Sequence, residues 1–371
     1  MSRRRGPRSR VSQGGGSPLP GFVSHAIGGH LNTLTNKEKH EINDGVLQVL
    51  SEIGFEQLPK FLECFIDNKT ITKKNNRYCF GIELIERCLT STNNEILLYR
   101  QNQEDYLSLS NGNVYCGTGG AAPLILDYEK KIYRPSLRKD LLSAARVVDK
   151  LENLRFFSRP LVLTDITDPH LMDIYTAIIS LSATQKHVMT SVANHKTVKT
   201  LAKVCYLLAG GEAAFRKSPF LSLNINFIIP PLRLDNEACE VMRESVKYGI
   251  PVMANVFGQR GASSPVSIVG SVCQTIAETL TGLLICLLLD PDSKVICGPR
   301  AMVTDLRTGG MAGGSGEQAQ TTSLLSQMML FYRLPNSSIA GASDSNIPDY
   351  QAGYEKALSC LLYTSPSPRD S

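Results

Sequence analysis

No tryptophan occurs among the 371 residues, no two of the ten cysteines are spaced CxxC, and no two of the six histidines stand as HxH or HExxH. The first absence leaves any aromatic enclosure of a cation to the 25 Phe and Tyr side chains, for which core packing is the default. The other two leave a zinc-type site without a local ligand motif, so no metal is expected. The cysteines stand singly, most of them among apolar neighbours, as the reduced buried thiols of a cytoplasmic protein do.

Long apolar runs are missing as well. The most apolar stretch, 280–289, has about half the length a bilayer crossing needs, so a buried helix and no membrane span are expected there. Charge of one sign is scarce: the formal net charge is +5, and Arg3, Arg4, Arg5, Arg8 and Arg10 supply most of the excess, which argues against nucleic acid as a partner. The basic start runs into Gly14, Gly15, Gly16, Pro18 and Pro20 with no apolar stretch, so 1–34 reads as a disordered leader and not as a secretory signal.

What is present is a change of rhythm. Ile42, Val46, Leu47, Val49, Leu50 and Ile53 keep helical spacing until Gly54 closes the run, and 81–89 is a second amphipathic stretch; 35–150 is read as an α+β extension. Later, strands are expected at 156–163, 187–192, 220–228, 250–257, 294–298 and 338–342, with helices at 171–183, 196–209, 235–248, 267–289, 315–332 and 349–361. Six βα units in a row predict a parallel sheet, which six units would complete if doubly wound and leave unfinished as a (β/α)8 barrel. The last stretch, 361–371, LLYTSPSPRDS, carries two Ser-Pro steps that cannot continue a helix and reads as an artefactual tail of sequencing-adapter type after a repeat that spans 151–360.

In such folds ligands meet the carboxyl ends of the strands. Those ends carry Asp165 and Asp168, Asn194 and His195, Asn224 and Asn226, Asn255 with Phe257, Gly258 and Arg260, Arg300 with Asp305 and Arg307, and Ser343, Asp344 and Asp349. Many of these polar groups would serve only as helix caps. The densest feature is DLRTGGMAGGSGE, 305–317, whose glycines suit a loop that approaches a ligand closely or moves as a lid. Neither GxGxxG nor GxxxxGK[ST] is present there, which leaves phosphate binding at the helix beginning near Ser315 as a minor alternative.

Six strings occur in order: GTGGAAPLILD at 117–127, TDITDPHLMD at 164–173, TQKHVM at 184–189, GASSPVSIVGSVCQTIAETLTG at 261–282, DLRTGGMAGGSGE at 305–317 and GASDSNIPDYQAGYEKA at 341–357. Together they resemble the trimethylamine methyltransferase family, the corrinoid-dependent enzymes that demethylate methylamines and betaines. The resemblance implies a TIM-type (β/α)8 barrel, incomplete here at its C-terminus, and transfer of a methyl group from a small quaternary or tertiary amine to Co(I) of a cobalamin-type corrinoid. That corrinoid would be carried by a separate partner protein, with no cofactor held tightly by this chain. Members with pyrrolysine act on trimethylamine; this chain has none, the segment 341–345 being where it would be sought, and glycine betaine or a related compound becomes the expected substrate. A methanogenic, cytoplasmic setting and a homo-oligomer are compatible with the resemblance. Rings and carboxylates would hold a cationic donor and an arginine or backbone N–H groups its carboxylate, which makes Asp305 and Asp344, as catalytic groups, with Tyr350 the candidates for the cation end, and Arg307 with the backbone of Gly309, Gly310, Gly313 and Gly314 those for the anion end; Asn255, Phe257 and Glu317 complete the substrate-facing set. The alternatives are a differently specialised or non-catalytic barrel on the same scaffold and a phosphate-cofactor-binding α/β enzyme.

Overall fold

Beginning at Cys116, strand and helix alternate: β1 (Cys116–Gly117), α1 (Arg138–Lys150), β2 (Leu154–Ser158), α2 (Pro169–Ala183), β3 (His187–Thr190), α3 (His195–Ala209), β4 (Leu221–Asn226), α4 (Asn236–Lys247), β5 (Val252–Arg260), α5 (Ile268–Leu289), β6 (Val295–Val303), α6 (Gly316–Phe331) and α7 (Tyr350–Thr364). The structure, a computed structural model, describes residues 26–364 apart from 29–31, 68, 93 and 111. Most of the expected leader and the tail from 365 onward lie outside the described residues, and of 361–364 only the backbone is described. The described end of the leader is tied down: Ala26–Ile27 pair antiparallel with Asn113–Val114, and the amides of Thr33 and Leu34 donate to Gln327 Oε1 at 2.9 and 3.0 Å.

The six strands form one parallel sheet in the order β1-β2-β3-β4-β5-β6. Along it each helix packs against the next, from α1 on α2 to α6 on α7. Sequential strands with one continuous layer of helices follow the winding of a barrel; a doubly wound sheet would reverse its strand order and divide its helices between two faces. The barrel is incomplete, because β1 and β6 are not paired with each other. Beyond β6 the chain makes one parallel bridge, Cys297 to Asn336, in which Cys297 N donates to Pro335 O at 2.9 Å and Ser337 N to Cys297 O at 2.8 Å.

Two expectations are corrected here. No strand runs through 338–342; the pairing stops at Asn336, and the chain passes to a left-handed turn at Gly341 (φ 75°). The sixth strand is instead Cys116–Gly117, inside the stretch expected to belong to the extension, and too short for any alternation to show in the sequence.

Side chains of the strands alternate between two faces, as the pleat requires. Val188, Leu221, Leu223, Ile225, Val252, Ala254, Val256, Val295 and Cys297 join the helices in the main apolar core. Helix α5 runs through that core, its most apolar window 89% buried, which fits the buried helix expected from its composition. It lies so close to the sheet at Gly282 that a Cβ there would stand 2.7 Å from the Phe227 ring and 2.8 Å from Ala254 Cβ. The N-terminal helix Asn36–Gln48 opens on a capping box between Thr35 and Glu38, packs on α5, and adds Ile42 and Val46 to the same core. Leu50, Phe55, Leu62, Ile71, Phe80 and Ile85 join it too, so the extension shares the sheet's core.

A hairpin, Ile96–Tyr99 with Tyr106–Leu109, closes the end where the strands begin. Ile96 and Leu98 pack there against Met189, Met253 and Ile296, on the face turned away from the helices. His187 pins it: Nδ1 donates to Tyr99 O at 3.0 Å, while Nε2 accepts from Ser222 Oγ at 3.0 Å. Burial pushes the imidazole down to about 4, so it stays neutral and keeps this tautomer.

Candidate active site

Above that apolar floor the inner face turns polar toward the carboxyl ends of the strands. The alternation that sends Met253 inward sends Asn255 and Phe257 inward as well, and on β6 it sends Ile296 and Arg300. Phe257 and Arg300 are directly paired across β5 and β6, with the guanidinium 5.8 Å from the ring centre. Arg300 Nε donates to Oδ1 of the buried Asn255 at 3.1 Å, and Nη2 lies 3.2 Å from Met253 Sδ and 3.4 Å from Ser337 Oγ. On β4, Asn224 Nδ2 donates to Ser158 Oγ at 3.2 Å, while its buried Oδ1 has no partner among the described residues. The inner wall thus gathers a cation, an aromatic face, a hydroxyl and an unused amide oxygen. A small ligand could hydrogen-bond at one end and pack at the other.

The glycine-rich stretch after β6 folds back on itself. Thr304 bridges Met311 antiparallel, Ala312 N donates to Val303 O at 2.9 Å, and Gly309 N donates to Asp305 O at 2.8 Å. Asp305 Oδ1 accepts from the Arg307 amide at 2.9 Å and from its Nε at 3.3 Å, and the Arg307 side chain is 90% exposed. These bonds hold the Asp305 carboxyl below the usual range. The two residues expected to hold opposite ends of a substrate therefore engage each other on a surface turn, with Gly309 and Gly310 at its tip.

Gly313 and Gly314 are buried against the segment that follows Ser337. Gly313 N donates to Asp344 Oδ1 at 2.6 Å, and the Glu355 carboxylate of α7 occupies the place a Gly314 side chain would need. Glu317 is exposed on the first turn of α6, and Tyr350 is 99% exposed at the start of α7. Of the residues expected from sequence, Asn255 and Phe257 meet on the inner face, and Gly313, Gly314 and Asp344 meet in a second cluster at its rim. Asp305, Arg307, Gly309, Gly310, Glu317 and Tyr350 are placed outward. Two carboxylates at Gly313 and Gly314 also make the start of α6 a poor seat for phosphate, and Ser315 Oγ is already used, accepting from Gln318 N at 3.2 Å.

Sequence reasoning placed Arg300 and Asn224 at strand ends without choosing them, and it missed Ser158 and Glu355. The signal for Arg300 was available: a guanidinium midway along an apolar strand is tolerated only on a face that leaves it solvated or partnered. A cavity of about 440 Å3 lined by Leu109, Asn113, Leu330 and Asn336 lies at the opposite end of the strands, beside the closing hairpin. The inner wall, not that cavity, stands where barrel chemistry is built. Among the described residues no group of three or more His, Cys, Asp or Glu is assembled to hold a metal.

A family model described as trimethylamine methyltransferase matches residues 2–365. The trimethylamine methyltransferase of Methanosarcina barkeri strain Fusaro is 28% identical over 350 residues, covering 90% of this chain and 69% of that protein. The glycine betaine methyltransferase of Desulfitobacterium hafniense strain Y51 is 26% identical over 334 residues, covering 89% and 68%. Among solved structures, the monomethylamine methyltransferase of Methanosarcina barkeri aligns with a TM-score of 0.47 and 9% identity, over 90% of this chain and 76% of that one.

Proposed function

Because this chain belongs to the trimethylamine methyltransferase family, we propose that it moves a methyl group from a small quaternary or tertiary amine to Co(I) of a corrinoid carried by a partner protein. The observation that carries the site assignment is the Arg300, Asn255 and Phe257 group on the inner wall, at the carboxyl ends of β5 and β6. It moves the anion end of the substrate from Arg307 to Arg300. The guanidinium, held by Asn255, places a positive charge on this wall beside the Phe257 ring, which suits the carboxylate of a betaine-like donor.

The acceptor supplies the nucleophile, and the protein supplies placement. A methyl group leaving a quaternary nitrogen releases a neutral amine that needs no proton. The inner-wall set of amides, hydroxyl, ring and guanidinium offers no general acid; a quaternary donor asks for none, and a tertiary amine would react as its protonated ammonium form, so that it leaves as a neutral secondary amine. Its work is to hold the methylated nitrogen in line with the acceptor and to keep water out. Arg300 and Asn255 fix the carboxylate, the apolar floor of Met189, Met253 and Ile296 excludes water below, and Asn224 Oδ1 can face the ammonium end. The acceptor fits from above, where Leu306, Met311 and Ile347 form an exposed apolar rim on the loops after β6 and Asn336.

The test mixes the protein with reduced corrinoid protein and follows the change from Co(I) to methyl-Co(III) spectra across a panel of methylated amines. The expected result is turnover of a carboxylate-bearing quaternary amine. No spectral change with any quaternary or tertiary amine, using a partner shown to be active, would remove the reading.

A further inference from the structure

Helix α7 holds the rim of the mouth through two side chains one turn apart. Ser359 Oγ accepts from Gly341 N at 2.8 Å. Glu355 Oε2 accepts from Asp344 N at 2.8 Å and from Ser343 Oγ at 2.7 Å, and its Oε1 accepts from Gln351 Nε2 at 2.8 Å. Asp344 in turn takes the Gly313 amide at 2.6 Å. The Glu355 carboxylate also lies directly over Gly314, in space that only glycine leaves free. One carboxylate thus joins two segments far apart in sequence: 312–315, which leads on from the strand bearing Arg300, and 341–345, which leads on from Ser337 beside the same guanidinium. The hydrogen bonds from Gln351, Ser343 and Asp344 hold the Glu355 carboxyl below its usual range, so the link is ionised at neutral pH.

We propose that Glu355 is a positioning residue for the methyl-transfer site: its carboxylate, acting through Asp344, clamps 312–315 and 341–345 into a single wall of the mouth. The proposal rests on the methyltransferase reading for its catalytic consequence and on geometry alone for the clamp. Both bonds end on Oε2, a place the amide oxygen of a glutamine could still fill, whereas Glu355→Ala removes the acceptor and with it both bonds. Freed at 312–315, the turn that carries Arg307 loses one of its legs and opens to protease.

Limited trypsin digestion, read as the rate of cleavage after Arg307 by mass spectrometry, tests the clamp without any need for activity. Glu355→Ala is expected to raise that rate about tenfold, with unchanged far-UV circular dichroism. Gly314→Ala, whose added methyl displaces the carboxylate, should do the same. Because Glu355 and Asp344 act in series, Glu355→Ala combined with Asp344→Ala should cleave no faster than the quicker single variant. In the methyl-transfer assay the loss should fall on kcat and leave the KM of the small amine nearly unchanged, since neither carboxylate touches it. An unchanged cleavage rate in Glu355→Ala, or additive rates in the double variant, would overturn the clamp whether or not methyl transfer is seen. A clamp seen by trypsin together with failure of every amine would instead remove the functional reading alone.

Discussion

Glu278 lies in the middle of α5 with its side chain buried and no cation among its named partners. Oε1 accepts from Leu232 N at 2.8 Å and from Gln274 Nε2 at 3.0 Å, while Oε2 is buried without a partner among the described residues. Burial outweighs those two bonds and pushes the carboxyl from 4.5 up to about 7. A folded value above the unfolded one means that the protonated form is favoured by folding. Its contribution is fully present below about pH 4.5 and is lost as pH rises through about 7. That difference corresponds to about 3 kcal/mol between the two limits. Glu278→Gln keeps the Oε1 acceptor and removes the charge. It should leave stability unchanged at pH 5 and raise it at pH 8.5, by a melting shift of about 4 °C for a chain of this size. Thermal melts of both proteins from pH 5 to 8.5 measure this directly. An equal shift at both ends, or a loss at pH 8.5, would show that Glu278 is not carried as a neutral acid in the folded state.

Arg300→Lys should lower kcat/KM for a carboxylate-bearing donor about 10- to 100-fold and for trimethylamine far less, because lysine cannot reproduce the planar fork; equal losses for both donors would place the carboxylate elsewhere. Lys186 is buried, with Nζ donating to Val148 O, Leu151 O and Leu154 O at 2.5, 2.7 and 2.6 Å. Lys186→Met takes one donor from each of three carbonyls, of which Val148 O and Leu151 O keep a backbone partner, and should cost about 1–3 kcal/mol in urea unfolding, a neutral result meaning that water replaces the ammonium. Gly282→Leu drives a side chain into Phe227 and Ala254 and should destabilise by about 3 kcal/mol or prevent folding, whereas unaltered melting would show that α5 can lift off the sheet.

The regular parts of the fold were legible because one physical signal governed them. The helix expected at 196–209 is His195–Ala209, and the one expected at 267–289 is Ile268–Leu289, each marked by apolar spacing and a polar cap: Asn194 accepts from Lys196 N, and Ser267 from Gly270 N. Strand β5 was read short, ending at 257 where it continues to Arg260, because Gly258, Gln259 and Arg260 are polar or small on a wall with two useful faces. The site was harder to read. Residue type marked Asp305 and Arg307 as chemistry, but spacing could not show that residues two apart on a tight turn satisfy each other. Asn255 and Phe257 were legible because a strand fixes which way they point. Arg300 needed the register against β5 before its neighbours were known, and Glu355 needed the packing of α7 on α6.

The hairpin that closes the lower end of the barrel comes from a stretch of chain that precedes every strand of the sheet. The depth of the chamber is therefore set by one piece of sequence and the chemistry of its walls by another. Trimming Leu98 to alanine would lower the floor beneath Met253 while leaving Asn255 and Arg300 on their own strands, so a longer donor could be admitted without disturbing the groups that grip its head. Size and charge selection can then drift independently, by small, separate steps.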